Sequence, residues 1–268
     1  MIASREDKMR MKYILIILMA GVFAISARGA QINISASQDA TLLGGADAVN
    51  NASLADPGIF AGTDGQGNPK RGLIEFNVAG ALPAGAVVTS AQLQLTLGQT
   101  AGTGGVLRTI SLFDETQAWG QPANIAGASS FANAGHGASP GSGDATWNYA
   151  FYNTTAWNAA GGNWSVSSAD IADASVGTTI TSYTWSSAAM AADVQNWLNN
   201  PASSFGWLLK NSNETTSADF RAFWSAQGAA ADNNPALAPV LIVNFNLPEP
   251  VGIPLISAGL LLFARRRK

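Results

Sequence analysis

A strict alternation of polar and apolar residues runs through residues 91–97. One face of this segment carries Leu93, Leu95 and Leu97, and the other face carries Gln92, Gln94 and Thr96. Because successive side chains of a β-strand point to opposite sides, a period of two predicts a strand with one buried and one polar face. Such a strand needs pairing neighbours, so the rest of the chain must supply a sheet.

Other segments with strand character are short and are separated by turns rich in Gly, Pro, Asn and Asp. They cover residues 32–34, 59–62, 71–78, 107–113, 178–185, 205–209, 219–224 and 240–245. Residues 120–176 are rich in small residues, and we expect long loops there, with a short strand or two, folded over the sheet. Many short strands without strand–helix–strand alternation predict an all-β fold, a single antiparallel β-sandwich.

One short helix is predicted, over about residues 187–199. Four apolar residues at helical spacing form a single stripe, and they are Met190, Val194, Trp197 and Leu198. Ser186 or Ser187 is suited to cap its start, and Pro201 ends it. The simplest interpretation of the stripe is core packing against the sheet.

The N-terminus has the pattern of a secretory signal peptide over residues 1–30. Lys8, Arg10 and Lys12 precede a 13-residue apolar stretch, which is too short for a stable membrane span. Small residues follow, and cleavage after Ala27 and after Ala30 both remain open. The chain has no cysteine, so disulfides are excluded in the oxidising compartment that export implies.

The C-terminal residues 247–268 have a specific order. A short proline-containing motif is followed by an apolar run of 14 residues and then by a basic cluster; the motif is Pro248, Glu249 and Pro250, and the cluster is Arg265, Arg266, Arg267 and Lys268. The run is shorter than the roughly 20 residues that span a bilayer, and the basic end fits a stop signal on the cytoplasmic side. A plain membrane anchor and a buried helix are the alternatives.

This tail resembles the PEP-CTERM sorting signal of Gram-negative bacteria. The resemblance implies that signal peptidase and an exosortase process the protein during export, and that the tail is cut off. Before processing, both apolar termini would lie in the membrane as helices outside the fold, and afterwards the protein would reach the outer envelope or the extracellular matrix.

The region between the termini is acidic. Residues 31–247 contain five basic and 14 acidic side chains, a net charge of −9. Nucleic-acid binding requires a basic surface and is therefore not expected. The charge is compatible with cations or with neutral glycans as partners.

Residues 31–246 resemble the DNRLRE-type domain of secreted bacterial proteins. The first matching positions are Asp39, Arg71, Leu73, Phe76, Asn77, Pro83, Gly85, Ser90, Leu93 and Trp119. The later ones are residues 144–147, Val194, Trp197, Leu198, residues 206–209 and residues 239–241. The resemblance implies a jelly-roll-like β-sandwich, which in that family is often an accessory or carbohydrate-binding-like module of surface proteins. It does not imply a catalytic site.

The sequence contains few residues that could act as catalytic nucleophiles or bases, and we do not expect an enzyme. His136 is the only histidine and lies in a loop of small residues, where nothing indicates the rigid partner that a nucleophile–base pair needs. A polysaccharide-degrading enzyme would need two carboxyls about 5–10 Å apart in a cleft. Asp114 and Glu115 are adjacent on a strand and should point to opposite faces, and the other candidates, Asp39, Asp144, Asp170 and Asp173, are scattered.

Two kinds of ligand site remain open. The oxygen-rich residues 64–68 could hold Ca²⁺, although they lack the acidic spacing of an EF-hand, and a tight turn is the simpler interpretation. Trp157 and Trp164 are the candidate glycan contacts, against a default role in packing. The leading hypothesis is an exported structural protein of the cell surface or of an exopolysaccharide matrix. A carbohydrate-binding module is the alternative.

Overall fold

The structure is a computed structural model that describes residues 29–45, 51–53, 56–101, 106–122, 130–132, 134–164 and 170–247. Its main secondary structure is a set of twelve β-strands. Ten strands form one large antiparallel sheet, and β6 and β7 form a small one. The strands are β1 Gly29–Leu43, β2 Gly58–Thr63, β3 Pro69–Phe76, β4 Val87–Thr100, β5 Arg108–Asp114, β6 Tyr149–Phe151, β7 Thr155–Ala156, β8 Ala172–Val176, β9 Ser182–Ser186, β10 Trp207–Asn211, β11 Arg221–Trp224 and β12 Val240–Asn246. The predicted predominance of antiparallel β-structure is confirmed.

The large sheet follows the order β1-β12-β4-β11-β2-β3-β10-β5-β8, and β9 pairs with β4. Strand β1 changes partner along its length. Its first half pairs with β12, and its second half pairs with β3 after an irregularity between Ala36 and Gln38. A β-bulge bends a strand in this way. The change of partner closes a ring of strands from β1 through β12, β4, β11, β2 and β3 back to β1.

The main core lies between two groups of strands, β4, β9 and β12 in one group and β3, β5 and β10 in the other. Leu93, Leu95 and Leu97 of β4 are completely buried, as their alternation predicted. They belong to one apolar cluster with side chains of β3, β5, β10 and β12. Trp185 of β9 extends into this cluster, and its indole N–H donates to the carbonyl of Ile110 in β5, at 2.7 Å. The two groups of strands are therefore held together by burial and by a direct hydrogen bond.

Strands β3, β5 and β10 are covered on both faces. Ile74, Leu112 and Leu209 face the main core, whereas Leu73 and Leu208 lie in a second cluster on the opposite face. A strand that is buried on both sides has a continuous apolar sequence rather than an alternating one. This explains the uninterrupted apolar run at residues 207–209.

The predicted helix is present as Ala188–Asn199, which we label α2. Ser187 caps it by accepting a hydrogen bond from the backbone N–H of Met190 at 3.0 Å. Its buried residues are Met190, Val194, Trp197 and Leu198, which is the predicted stripe. The helix packs mainly against β4.

The prediction of a single helix was wrong. Two further short helices occur among the described residues, α1 at Val78–Ala81 and α3 at Ala226–Ala231, together with 3₁₀ turns at Pro201–Ser203 and Pro235–Leu237. Asn77 and Ser225 cap α1 and α3. These helices have four and six residues, too few to show a helical stripe in the sequence.

Strand β8 lies within residues 120–176, where the sequence predicts a short strand or two among long loops without locating them. Its sequence, ADASV, has one β-branched residue, Val176, and no aromatic one, but its burial alternates, and it pairs with β5 along its whole length. The strand predicted at residues 205–209 begins only at Trp207. Gly206 has φ +77, and a Cβ there would lie 2.0 Å from the carbonyl oxygen of Ile74, so the approach to β10 requires glycine.

Candidate functional site

Residues 115–122 and 144–164, which we call the covering segment, lie over the outer face of β3, β5 and β10. Trp119 and Trp157 are buried there in a cluster with Leu73 and Leu208. The indole N–H of Trp119 donates to the carbonyl of Phe205 at 2.9 Å, and that of Trp157 donates to the carbonyl of Thr146 at 2.8 Å. The expected long loops with short strands, β6 and β7, therefore form a second core layer.

Trp157, a predicted glycan contact, is only 6% exposed. Sugar stacking requires an accessible aromatic face, and the polar edge of this indole is already hydrogen-bonded within the protein. The position of Trp157 thus favours the packing role that was the alternative for it.

Trp164, the other predicted glycan contact, is half-buried and belongs to a cluster around Arg71. The guanidinium carbon of Arg71 lies 4.6 Å from the ring centre of Trp164 and 4.8 Å from that of Trp147. Two parallel hydrogen bonds of 2.8 Å join the guanidinium to the carboxylate of Glu214, and a third, of 2.9 Å, goes to the carbonyl of Gly161. This geometry combines cation–π stacking with a bidentate ion pair and ties β3 to the covering segment.

The chain's eight tryptophans are all at least partly buried. Trp147, Trp164 and Trp224 are half-buried, and the other five are buried. The structure therefore brings the aromatic residues together as packing groups and shows no exposed aromatic strip among the described residues.

Glu115 forms hydrogen bonds with both ends of the covering segment. Its buried carboxylate accepts hydrogen bonds from the backbone N–H groups of Thr116, Gln117 and Asn163, at 3.1–3.2 Å. Burial raises its pKa to about 7, although these hydrogen bonds act in the opposite direction. Glu115 thus joins the two ends of a segment nearly 50 residues long.

The remaining carboxylates that the enzyme hypothesis considered lie in separate environments. Burial raises the pKa of Asp114 to about 6, with a contribution from the negative charge of Asp193. Burial also raises the pKa of Asp39 to about 6, and its carboxylate accepts from the backbone N–H of Ala226. Asp144 accepts from the backbone N–H of Gly141.

Asp170 and Asp173 are close enough to interact, and Asp173 also accepts a hydrogen bond from Ser111. The structure therefore brings together Asp114 with Asp193 and Asp170 with Asp173. It leaves Asp39 and Asp144 elsewhere.

His136 borders a polar cavity of about 370 Å³ that sequence reasoning did not anticipate. The cavity is lined by Asn51, Asp64, Gln66, Asn68, Lys70, Gly135 and His136. The side chain of Asn51 donates to the backbone carbonyl of His136 at 3.2 Å, and the imidazole lies close enough to the carboxylate of Asp56 for an electrostatic interaction.

The oxygen-rich loop at residues 64–68 is a tight turn. Oδ1 of Asp64 accepts from the backbone N–H groups of Gln66 and Asn68, at 3.0 and 2.9 Å, and Oδ2 accepts from the side-chain amide of Asn68. These hydrogen bonds hold the pKa of Asp64 below its usual range, against the effect of its partial burial. Within the described ranges, no three histidine, aspartate or glutamate side chains are grouped so that they could hold a metal ion.

All five basic residues of the acidic region take part in ion pairs. The pairs are Lys70–Asp64, Arg71–Glu214, Arg108–Asp219, Lys210–Glu214 and Arg221–Asp219. The sequence shows that basic residues are scarce, but it does not show which carboxylate each of them pairs with.

The sorting motif, the basic stop signal, the terminal apolar runs and residues 1–28 of the predicted signal peptide lie outside the described residues. Gly29 and Ala30, the last two residues of that predicted signal peptide, are the first two residues of β1. Across the ranges that the structure does describe, no helix combines the length and the apolar character needed to cross a membrane.

No protein-family model matches the sequence. No curated protein is significantly similar to it. The resemblances to the PEP-CTERM signal and to the DNRLRE-type domain therefore remain predictions from the residues quoted for them.

Proposed function

We propose that this protein is an exported, non-enzymatic structural protein of the cell surface or of an extracellular polysaccharide matrix, sorted by an exosortase through its C-terminal motif. The observation that carries the proposal is the order of the tail, in which Pro248, Glu249 and Pro250 precede an apolar run and four terminal basic residues. Prolines keep a motif extended, because each lacks a backbone N–H and opposes helix formation. An extended motif at the membrane surface is accessible to a processing enzyme.

The domain boundaries follow from this proposal. Residues 1–30 serve as the signal peptide, residues 31–246 form the mature domain and residues 247–268 form the sorting signal. We infer that the domain is a jelly-roll-like β-sandwich. The change of partner along β1 and the core shared between the two groups of strands support that inference.

The polar groups of the domain support a structural role. Arg71, the best-placed cation for a ligand in the aromatic cluster, already has Glu214, Gly161 and two indole rings as partners. A binding or catalytic group is normally left free to meet its ligand. The burial of Trp157 removes one of the two residues on which the carbohydrate-binding alternative depends.

The experiment that tests the proposal is an intact-mass measurement on the protein isolated from the envelope and the medium of its native host. We expect a species that begins after Ala27 or Ala30 and ends near residues 248–250. Replacing Glu249 with alanine should cause the unprocessed tail to accumulate in the membrane fraction, whereas replacing Asn246, just before the motif, should not. A wild-type mass that ends at Lys268 would contradict sorting and would make the tail a permanent anchor.

A further inference from the structure

Three paired strands form the end of the domain at which the described chain both begins and ends. Asn246, the last residue of β12, lies opposite Gly29 of β1 on one side and opposite Val87 of β4 on the other. Only Leu247 separates β12 from Pro248, the first residue of the sorting motif. Since one residue of extended chain spans at most about 3.6 Å, the motif begins within roughly 7 Å of Asn246.

Apolar side chains are exposed at this end. Val87 is 56% exposed and Leu247 is 38% exposed, and the Pro-Ala-Gly turn at residues 83–85, just before β4, is exposed as well. Residues 31–247 contain five basic and 14 acidic side chains, but the segments that build this end contain none of them, and these segments are residues 29–35, 83–90 and 240–247. Burying a charge is costly, so segments without charges leave water more easily than the rest of this acidic domain.

The chain itself indicates which partner meets this surface. The sorting motif is followed directly by the apolar run at residues 251–264 and then by four basic residues. A membrane that holds this run brings its surface close to Asn246, because only Leu247 and the three residues of the motif lie between them. Val87 is the strand partner of Asn246, so it reaches the same surface although it lies about 160 residues earlier in the chain. Apolar side chains are stabilised at the boundary between lipid head groups and acyl chains.

We propose that the end of the domain formed by Gly29, Val87 and Leu247 is a membrane-facing surface, which lies against the lipid head groups until the tail is cut. The inference rests on the part of the proposed function that anchors the tail in the membrane. It places the motif at the bilayer surface, where a membrane-bound processing enzyme acts. Two apolar side chains bury less surface than one acyl chain, which by itself binds a membrane only marginally, so removal of the tail releases the domain.

The test is a site-resolved measurement of lipid contact. The chain has no cysteine, so Val87→Cys provides a single thiol for an environment-sensitive fluorophore. The labelled full-length protein is reconstituted into vesicles of phosphatidylethanolamine and phosphatidylglycerol, with and without a lipid that carries a nitroxide on its head group. We expect the emission of the label at residue 87 to shift to the blue in vesicles. The nitroxide should quench this label at least about twofold more strongly than a label at the far end of the domain.

Ile180→Cys is the matched control at that far end. Ile180 is 58% exposed, close to the 56% of Val87. The carbonyl of the next residue, Thr181, accepts from the backbone N–H of Leu97 at 2.9 Å. Leu97 lies ten residues along β4 from Val87, which is roughly 30 Å at the rise of a strand residue. If Val87→Cys lacks the near-ultraviolet circular dichroism of the wild type, Ala84→Cys in the exposed turn before β4 replaces it as the probe.

Equal quenching at residues 87 and 180 would overturn the proposal, since the tail alone would then hold the protein at the membrane. A blue shift at residue 87 without quenching would also overturn it, because the side chain would then contact protein, as in a dimer of this chain. The measurement needs no exosortase, so its result does not depend on whether the tail is processed. Strong quenching at residue 87 together with an intact mass that ends at Lys268 would support the membrane-facing surface and contradict sorting.

Discussion

Arg71 shows how a single residue joins two layers of this molecule. It lies on β3, and its guanidinium stacks on Trp147 and Trp164 while it forms two hydrogen bonds to Glu214. The side chains of Arg71 and Glu214 are only 12% and 14% exposed. The planar, forked shape of the guanidinium is needed for both contacts, and the point charge of a lysine provides neither in full.

We therefore expect Arg71→Lys to lower the free energy of unfolding by about 1.5 to 3 kcal/mol, the range for a lost hydrogen bond to a charged group. Urea denaturation followed by tryptophan fluorescence measures this change. The matched control is Lys210→Met, which removes the other cation near Glu214 and should cost less than about 1 kcal/mol, because that pair is more exposed and lies 3.6 Å apart. Equal losses would mean that charge alone, and not the shape of the arginine, stabilises the cluster.

The start of helix α2 joins two elements through one side chain. Oγ of Ser187 accepts from the backbone N–H of Met190 at 3.0 Å and donates to the carbonyl of Ile171 at 2.6 Å, immediately before β8. The hydroxyl thus caps the helix and also fixes the entry to an edge strand.

Replacing Ser187 with alanine should destabilise the protein by about 1 to 2 kcal/mol, the upper part of the range for a lost helix cap, because the carbonyl of Ile171 also loses its donor. Chemical denaturation gives the value, and Ser187→Thr should restore most of it. Ser203, whose hydroxyl donates to the carbonyl of Asn200 in an exposed turn, provides the control, and its alanine variant should stay within about 0.5 kcal/mol of the wild type. A loss at Ser187 no larger than at Ser203 would contradict the double role.

The elements that the sequence predicted are those with a local signal. The alternation of Leu93, Leu95 and Leu97 and the stripe of α2 are visible within a dozen residues, and both are confirmed. Strand β8 has only a short alternation of small apolar and polar residues, over Ala172–Val176, and it pairs with β5, about 60 residues earlier in the chain. The contacts of the Arg71 cluster are still more distant, since Arg71 and Glu214 are 143 residues apart. Composition shows that such partners are few, but not which residues meet.

The scarcity of basic residues determines how the whole molecule responds to pH. All five cations of residues 31–247 are already in ion pairs, whereas the region has 14 carboxylates. Many of the carboxylates that the structure describes therefore have no lysine or arginine in an ion pair with them. Burial then favours the protonated form. It raises the pKa of Glu115 to about 7 from an ordinary 4.5, and that of Asp39 to about 6 from 3.8. The pKa values of Glu75 and Asp193 are also raised by burial.

Lowering the pH from about 8 to about 5 should therefore raise the free energy of unfolding of this protein. Between the unfolded and the folded pKa values of Glu115 and Asp39, the native state binds more protons than the unfolded state, so the free energy of unfolding falls as the pH rises. We expect it to be larger at about pH 5 than at about pH 8, by roughly 2 kcal/mol or more, as measured by urea denaturation at each pH. Glu115→Gln keeps an acceptor for the three backbone N–H groups and removes the titration, so its profile should be flatter than that of the wild type. Equal slopes for both proteins would show that Glu115 is not the source of the effect, and a stability that rises towards pH 8 would contradict the burial of these carboxyls as the dominant electrostatic term.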